Sequence, residues 1–127
     1  MNVTYEIENG EKVKVMTCDN GSVYKYDVNG NVIHYKNSDG DEAWSEYDKN
    51  GRMIHFKNSD GVEYWYDANG NKIHSWDNMD SEQWWEYNAN GNMIHYKDNC
   101  GYEKWCEYDT NGNKIHSWDN QGFEYWY

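Results

Sequence analysis

Asn50-Gly51-Arg52-Met53-Ile54-His55 decides the fold, because close copies of it recur along the chain. They stand at Asn29-Gly30-Asn31-Val32-Ile33-His34, Asn69-Gly70-Asn71-Lys72-Ile73-His74, Asn90-Gly91-Asn92-Met93-Ile94-His95 and Asn111-Gly112-Asn113-Lys114-Ile115-His116, spaced by 21, 19, 21 and 21 residues. Tandem units stack on their neighbours and present an extended surface in place of one enclosed pocket. A second turn signal falls midway through the units, at Asn20-Gly21, Asp39-Gly40, Asp60-Gly61, Cys100-Gly101 and Gln121-Gly122. Asn-Gly favours a two-residue hairpin turn of type I′, which needs positive φ at both central residues. The pattern predicts an all-β fold: a tandem β-hairpin repeat array of 19–21 residues per unit, an antiparallel β-ribbon winding into a solenoid or spiral sheet, with no substantial helix.

With Asn50-Gly51 at the centre of the turn, Tyr47 pairs with Ile54, Glu46 with His55, Ser45 with Phe56 and Trp44 with Lys57. One face then carries Tyr47, Ile54 and Phe56 and reads as core. The other carries Glu42, Trp44, Glu46, His55 and Lys57, where a Trp44–Lys57 cation–π pair and a Glu46–His55 bond are expected. Asp80 stands where Gly is expected and predicts a looser or differently built turn. Residues 1–127 read as a single repeat domain: 1–20 a divergent N-terminal capping hairpin, 21–127 about five repeats. In that first hairpin a three-residue loop, Asn9-Gly10-Glu11, pairs Ile7 with Val13, Tyr5 with Val15 and Glu6 with Lys14. The sequence stops midway through a unit at Trp126-Tyr127, so the last strand is expected to pair back onto the array or to offer an open edge for homodimerisation.

Only 37% of the residues are hydrophobic, and eight Trp, thirteen Tyr and two Phe make up much of that share. Aromatics bury large areas per residue and suit pleated surfaces, so they replace Leu and Val in a thin β structure. The formal charge of −12 argues against direct binding of nucleic acid or an anionic membrane and favours a basic protein or cations. No signal peptide and no apolar run of membrane-spanning length is present, which implies a cytoplasmic location by default. Cys18, Cys100 and Cys106 fall at different points of the repeat, as suits reduced thiols and neither a disulfide framework nor a zinc site.

Tyr47-Asp48-Lys49-Asn50-Gly51 leading to Asp60-Gly61, and Tyr108-Asp109-Thr110-Asn111-Gly112 leading to Gln121-Gly122, carry a further pattern. Tyr26-Asp27 and Tyr66-Asp67 share it, and Tyr87-Asn88 departs from it. Over residues 21–127 the combination resembles the YD repeat of RHS proteins. The resemblance implies a β-ribbon wound into a spiral, with which long members of that family enclose a toxin domain; this chain has too few units for such an enclosure. The Gly-plus-aromatic periodicity is also similar to choline-binding wall repeats, which lack the Tyr-Asp pair and the Ile-His step.

Three constellations offer chemistry. His34, His55, His74, His95 and His116 occupy one place in every unit, and a row of imidazoles suits metal binding or pH sensing. The plainer reading is preferred: each is a half-exposed strand residue bonded to Glu or packed on Trp, since metal ligands must converge on a point. Asp27-Val28-Asn29-Gly30-Asn31-Val32-Ile33 superficially looks like a calcium loop but has Val32 where an EF-hand needs Gly, and a turn-initiating Asp explains it without metal. The third is a Glu-x-Trp-x-Glu stripe, Glu42-Trp44-Glu46, Glu82-Trp84-Glu86 and Glu103-Trp105-Glu107. Strand alternation puts each set on one face, a wall of indoles rimmed by carboxylates.

No catalytic arrangement, phosphate loop or cofactor motif stands out, and an active site is usually singular where these carboxylates repeat, so the expectation is a non-enzymatic binding protein without cofactor or metal. Its expected partner is a basic protein, such as a nuclease or other nucleic-acid-binding enzyme inhibited by charge mimicry in the manner of toxin-immunity or anti-CRISPR proteins, held by the nine stripe residues. The alternatives are glycan or cell-wall binding through exposed aromatics, and a structural fragment of an RHS-type shell.

Overall fold

The computed structural model describes residues 1–127. Its regular structure is entirely β. The strands are β1 (Asn2–Glu8), β2 (Glu11–Thr17), β3 (Val23–Tyr26), β4 (Val32–Lys36), β5 (Glu42–Tyr47), β6 (Met53–Asn58), β7 (Glu63–Tyr66), β8 (Lys72–Trp76), β9 (Glu82–Tyr87), β10 (Met93–Asp98), β11 (Glu103–Tyr108), β12 (Lys114–Asp119) and β13 (Glu124–Trp126). The chain divides into two compact units, Met1–Glu63 and Tyr64–Tyr127. In the first, β1 to β6 pair antiparallel in sequence order; in the second, β8 to β13 do the same. The tandem hairpin array expected from the turn signals is therefore the observed fold.

The turns differ from expectation in kind. Asp48 and Arg52 close a three-residue loop, Lys49-Asn50-Gly51, in which Asp48 N–H donates to the Arg52 carbonyl (2.8 Å) and Gly51 N–H to the Asp48 carbonyl (3.0 Å). Gly51 has φ 83° and Asn50 keeps negative φ, so this is not the type I′ turn anticipated. Asp48 stabilises this form, since its Oδ1 accepts the N–H groups of both Asn50 and Arg52 at 2.9 Å. A short carboxylate or amide two residues ahead of Asn stabilises this wider loop. Asp27, Asn37, Asn58, Asp67, Asp77, Asn88, Asp98, Asp109 and Asp119 act alike, each taking the N–H groups two and four residues on.

In this hairpin the three-residue loop slips the pairing by one relative to the expected register, and a β-bulge restores it. Tyr47 lies opposite Met53, whereas Glu46, Ser45 and Trp44 lie opposite His55, Phe56 and Lys57, leaving Ile54 as the extra residue. Three of the four pairs expected for this hairpin are thus observed, and Tyr47–Ile54 is not. Ile33, Ile94 and Ile115 are the extra residues of the equivalent hairpins. Beside two of these bulges a Tyr hydroxyl from the next hairpin caps a carbonyl, Tyr47 on Val32 (2.9 Å) and Tyr108 on Met93 (2.7 Å), and Tyr87 does the same on Lys72 (2.9 Å). Burial pushes the phenols of Tyr87 and Tyr108 above their ordinary pKa.

Two further expectations are corrected. Asp80 adopts φ 60° and replaces Gly within the same kind of turn, with Asp77 Oδ1 accepting from Met79 and Ser81 as elsewhere. The first hairpin has a two-residue loop in place of three. Asn9 (φ 52°) and Gly10 (φ 80°) form it, and the register is Tyr5–Lys14, Glu6–Val13 and Ile7–Lys12. Ile7 stands where the repeats have Asp or Asn and offers no acceptor to stabilise the wider loop, and the hairpin closes as the tighter type I′ turn. Cys18 lacks such an acceptor too, yet its loop to Ser22 keeps the three-residue form.

Burial is shallow. Val13, Val15 and Cys106 are the buried apolar side chains, joined by Ser22, Ser75, His116 and Ser117. Tyr47, Ile54 and Phe56, read as core, are half-buried, as are Glu42 and His55 on the opposite face, where Trp44, Glu46 and Lys57 are exposed. All three cysteines are free thiols.

Candidate interaction face

Alternation along β5, β9 and β11 places the nine stripe residues where the sequence put them, each Glu-x-Trp-x-Glu set on one face of its strand. The indoles do not stand alone. In the first unit Trp44 stacks on His34 (ring centroids 5.4 Å, 14° between planes) and receives Lys57 Nζ at 5.5 Å on its ring. In the second, Trp65, His74 and Trp84 stack in succession at 4.2 and 5.2 Å, and Lys97 Nζ lies 5.3 Å from the Trp84 ring. His95 stacks on Trp105 (5.5 Å), which meets Trp118 at 6.0 Å. His116 packs on Trp118 at 4.5 Å and on Trp126 at 3.5 Å.

The carboxylates are engaged as well. Glu42 lies 2.8 Å from His34 Nε2, Glu82 2.6 Å from His74 Nε2, and Glu103 2.8 Å from His95 Nε2. Glu46, Glu86 and Glu107 meet the Nδ1 atoms of His55, His95 and His116 at 3.3, 2.9 and 3.1 Å. Each strand carboxylate therefore binds an imidazole of an adjacent strand, and the expected Glu46–His55 bond is one instance. Exposure separates the two rows: the side chains of Glu42, Glu82 and Glu103 are 26, 25 and 33% exposed, those of Glu46, Glu86 and Glu107 67, 67 and 55%.

His95 shows what this arrangement does to charge. Both its ring nitrogens face carboxylate acceptors, so only the doubly protonated ring satisfies both bonds. The Glu86 bond, reinforced by Glu103, holds its pKa above the ordinary value of 6.5. His55 has the same two-sided geometry, with Glu63 at 2.6 Å from Nε2. His116 differs: its Nε2 is buried, lies 3.4 Å from Glu124 and makes no hydrogen bond.

Glu63 and Glu124 were not singled out from the sequence, although a signal existed. Glu occurs eight residues after every one of the five histidines, at Glu42, Glu63, Glu82, Glu103 and Glu124. The turn carboxylates hold backbone N–H groups, Asp109 most clearly: bonds from the Asn113 backbone and side chain and from the Asn111 backbone hold its carboxyl below the usual pKa. No group of three or more His, Cys, Asp or Glu side chains is placed to hold a metal ion.

No protein-family model and no curated protein matches the chain. Solved structures do. A crystal structure of TcdB2-TccC3-TEV matches with a TM-score of 0.50 at 15% identity, over 87% of this chain and 7% of that one. The structure of the Photorhabdus luminescens Tc holotoxin pore with a TccC3 variant gives the same TM-score, identity and coverage. The chain thus spans about 7% of the length of the chains it matches. At this identity the likeness is one of fold: a YD-repeat-like β array.

Proposed function

We propose that the chain is a structural β-repeat segment of the RHS type and not an enzyme, in which the acidic aromatic face holds successive strands together. The observation that carries this reading is the use of the stripe's own groups: its carboxylates bond histidines and its indoles stack on histidines, lysines or each other. Residues kept for binding a partner are usually neutral or costly for stability, whereas structural ones stabilise. Replacing Trp44, Trp84 or Trp105 singly with Ala is therefore expected to lower stability by roughly 2 kcal/mol each in urea unfolding. Unchanged stability in all three would remove the structural reading.

One observation favours a second reading, a basic protein partner. An open cleft of about 540 Å³ is lined by Glu8, Glu11, Asp27, Trp44 and Glu46 among others, and would receive a cationic side chain over an indole. Under that reading Trp44→Ala and Glu46→Gln leave the fold intact and abolish salt-sensitive binding of the basic protein.

A further inference from the structure

Seven Asn-Gly steps occur in the sequence, at Asn9, Asn20, Asn29, Asn50, Asn69, Asn90 and Asn111. Such a step is where a backbone nitrogen most easily reaches the preceding side-chain amide, because Gly carries no side chain to hinder the approach. The nitrogen must first give up its proton, and a hydrogen bond to that N–H holds both the proton and the nitrogen's position. Six of the seven glycines have such a bond. Gly21, Gly30, Gly51, Gly70, Gly91 and Gly112 donate to the carbonyls of Cys18, Asp27, Asp48, Asp67, Asn88 and Asp109 at 3.0–3.1 Å. Gly10 has no such backbone acceptor, because the two-residue turn closes between Glu8 and Glu11, one residue beyond it. Asn9 and Gly10 are also exposed, at the tip of a hairpin whose first strand is exposed throughout.

We infer that Asn9-Gly10 is a site of spontaneous covalent modification in the folded protein, from which the six repeat-type turns protect their own Asn-Gly steps. The Gly10 backbone nitrogen attacks Asn9 Cγ and closes a five-membered imide ring. The bond between Cγ and the amide nitrogen Nδ2 breaks, and the departing nitrogen takes the proton lost by Gly10 and leaves as ammonia. Water then adds to either carbonyl of the succinimide and opens it to aspartate or isoaspartate. No oxidant or enzyme takes part. The product carries one more negative charge, and the isoaspartate form inserts a methylene into the backbone of a two-residue turn that has no room for it. The consequence is loosening of β1 from β2, and with it of the Lys25 contacts to Glu6 and Glu8 at 3.3 and 3.2 Å.

The test incubates the purified protein at neutral and mildly alkaline pH and follows every Asn-Gly peptide by proteolysis and mass spectrometry, with the same protein in denaturing urea as reference. In the folded protein, Asn9 is expected to convert at least several-fold faster than any of the other six; in urea the seven rates should converge. Conversion spread evenly over the seven sites of the folded protein would overturn the inference, as would an Asn9 that stays intact when folded and reacts only in urea.

Discussion

The first hairpin and the hairpin between β5 and β6 are built on the same dipeptide and turn differently. At Asn9-Gly10 both residues take positive φ and the strands stay in simple register; at Asn50-Gly51 only Gly does, the loop gains a residue and a bulge follows at Ile54. What differs is the residue two places before Asn, Ile7 in one and Asp48 in the other. A side-chain oxygen that takes two backbone N–H groups stabilises the wider turn at Asn50, although the Cys18–Ser22 loop takes the same form without one. The bulge belongs to the Tyr-Asp and Tyr-Asn hairpins, since the same turns after β4, β8, β10 and β12 lead into unbroken register. Where the bulge is present, it restores the register in which Glu46 faces His55.

The largest way to break this comparison is Asp48→Ala, expected to cost about 1–2 kcal/mol in urea unfolding, because two bonds to a charged acceptor are lost. Glu8→Ala, which closes the first hairpin without such bonds, should cost less, within about 1 kcal/mol, since its only ion pair is exposed. Equal losses would erase the distinction. Tyr108→Phe removes the hydroxyl that caps the Met93 carbonyl and is expected to lower stability by about 1 kcal/mol, whereas Tyr5→Phe, on the exposed first strand, should leave the unfolding midpoint where it is. Asp80→Gly sharpens the comparison in the other direction. Relief of a left-handed non-Gly residue should raise stability by roughly 0.5 kcal/mol after the added chain entropy of Gly, and a loss would mean that Asp80 contributes through its side chain.

The smallest effect concerns pH. Because the folded pKa of His95 is raised, its bonds to Glu86 and Glu103 stabilise fully below the ordinary histidine value and are lost as pH rises through the raised one. A proton NMR titration should therefore place the His95 midpoint above that of an unstructured histidine. Glu86→Gln, which removes the largest cause, should bring it down; a midpoint indifferent to Glu86 would contradict the geometry.

Much of this was legible in the sequence. Spaced Asn-Gly steps and strand alternation imply the hairpin array, and they imply the pairing of Trp44 with Lys57 and of Glu46 with His55 even though the turn itself is of another kind. Those pairs survive because the bulge cancels the one-residue slip that the wider loop introduces. Tyr47 lies before the cancellation, so its partner is Met53 and not Ile54. The first hairpin departs in the opposite sense: Ile7 stands where the repeats supply an acceptor, and the loop closes on two residues. At the interaction face alternation reveals which residues share a side, but it does not report hydrogen bonds from the following hairpin. Glu63 on His55 and Glu103 on His95 both come from there, and only the constant eight-residue step from His to Glu encodes them.

That the acidic aromatic face is internal scaffolding is tested most directly by a double-mutant cycle between His95 and Glu103, measured by urea unfolding near pH 6. A favourable coupling of about 1 kcal/mol that fades as His95 deprotonates at higher pH is the predicted result. Additive effects of the two substitutions, with no coupling at either pH, would mean that the carboxylates are held for something outside the protein.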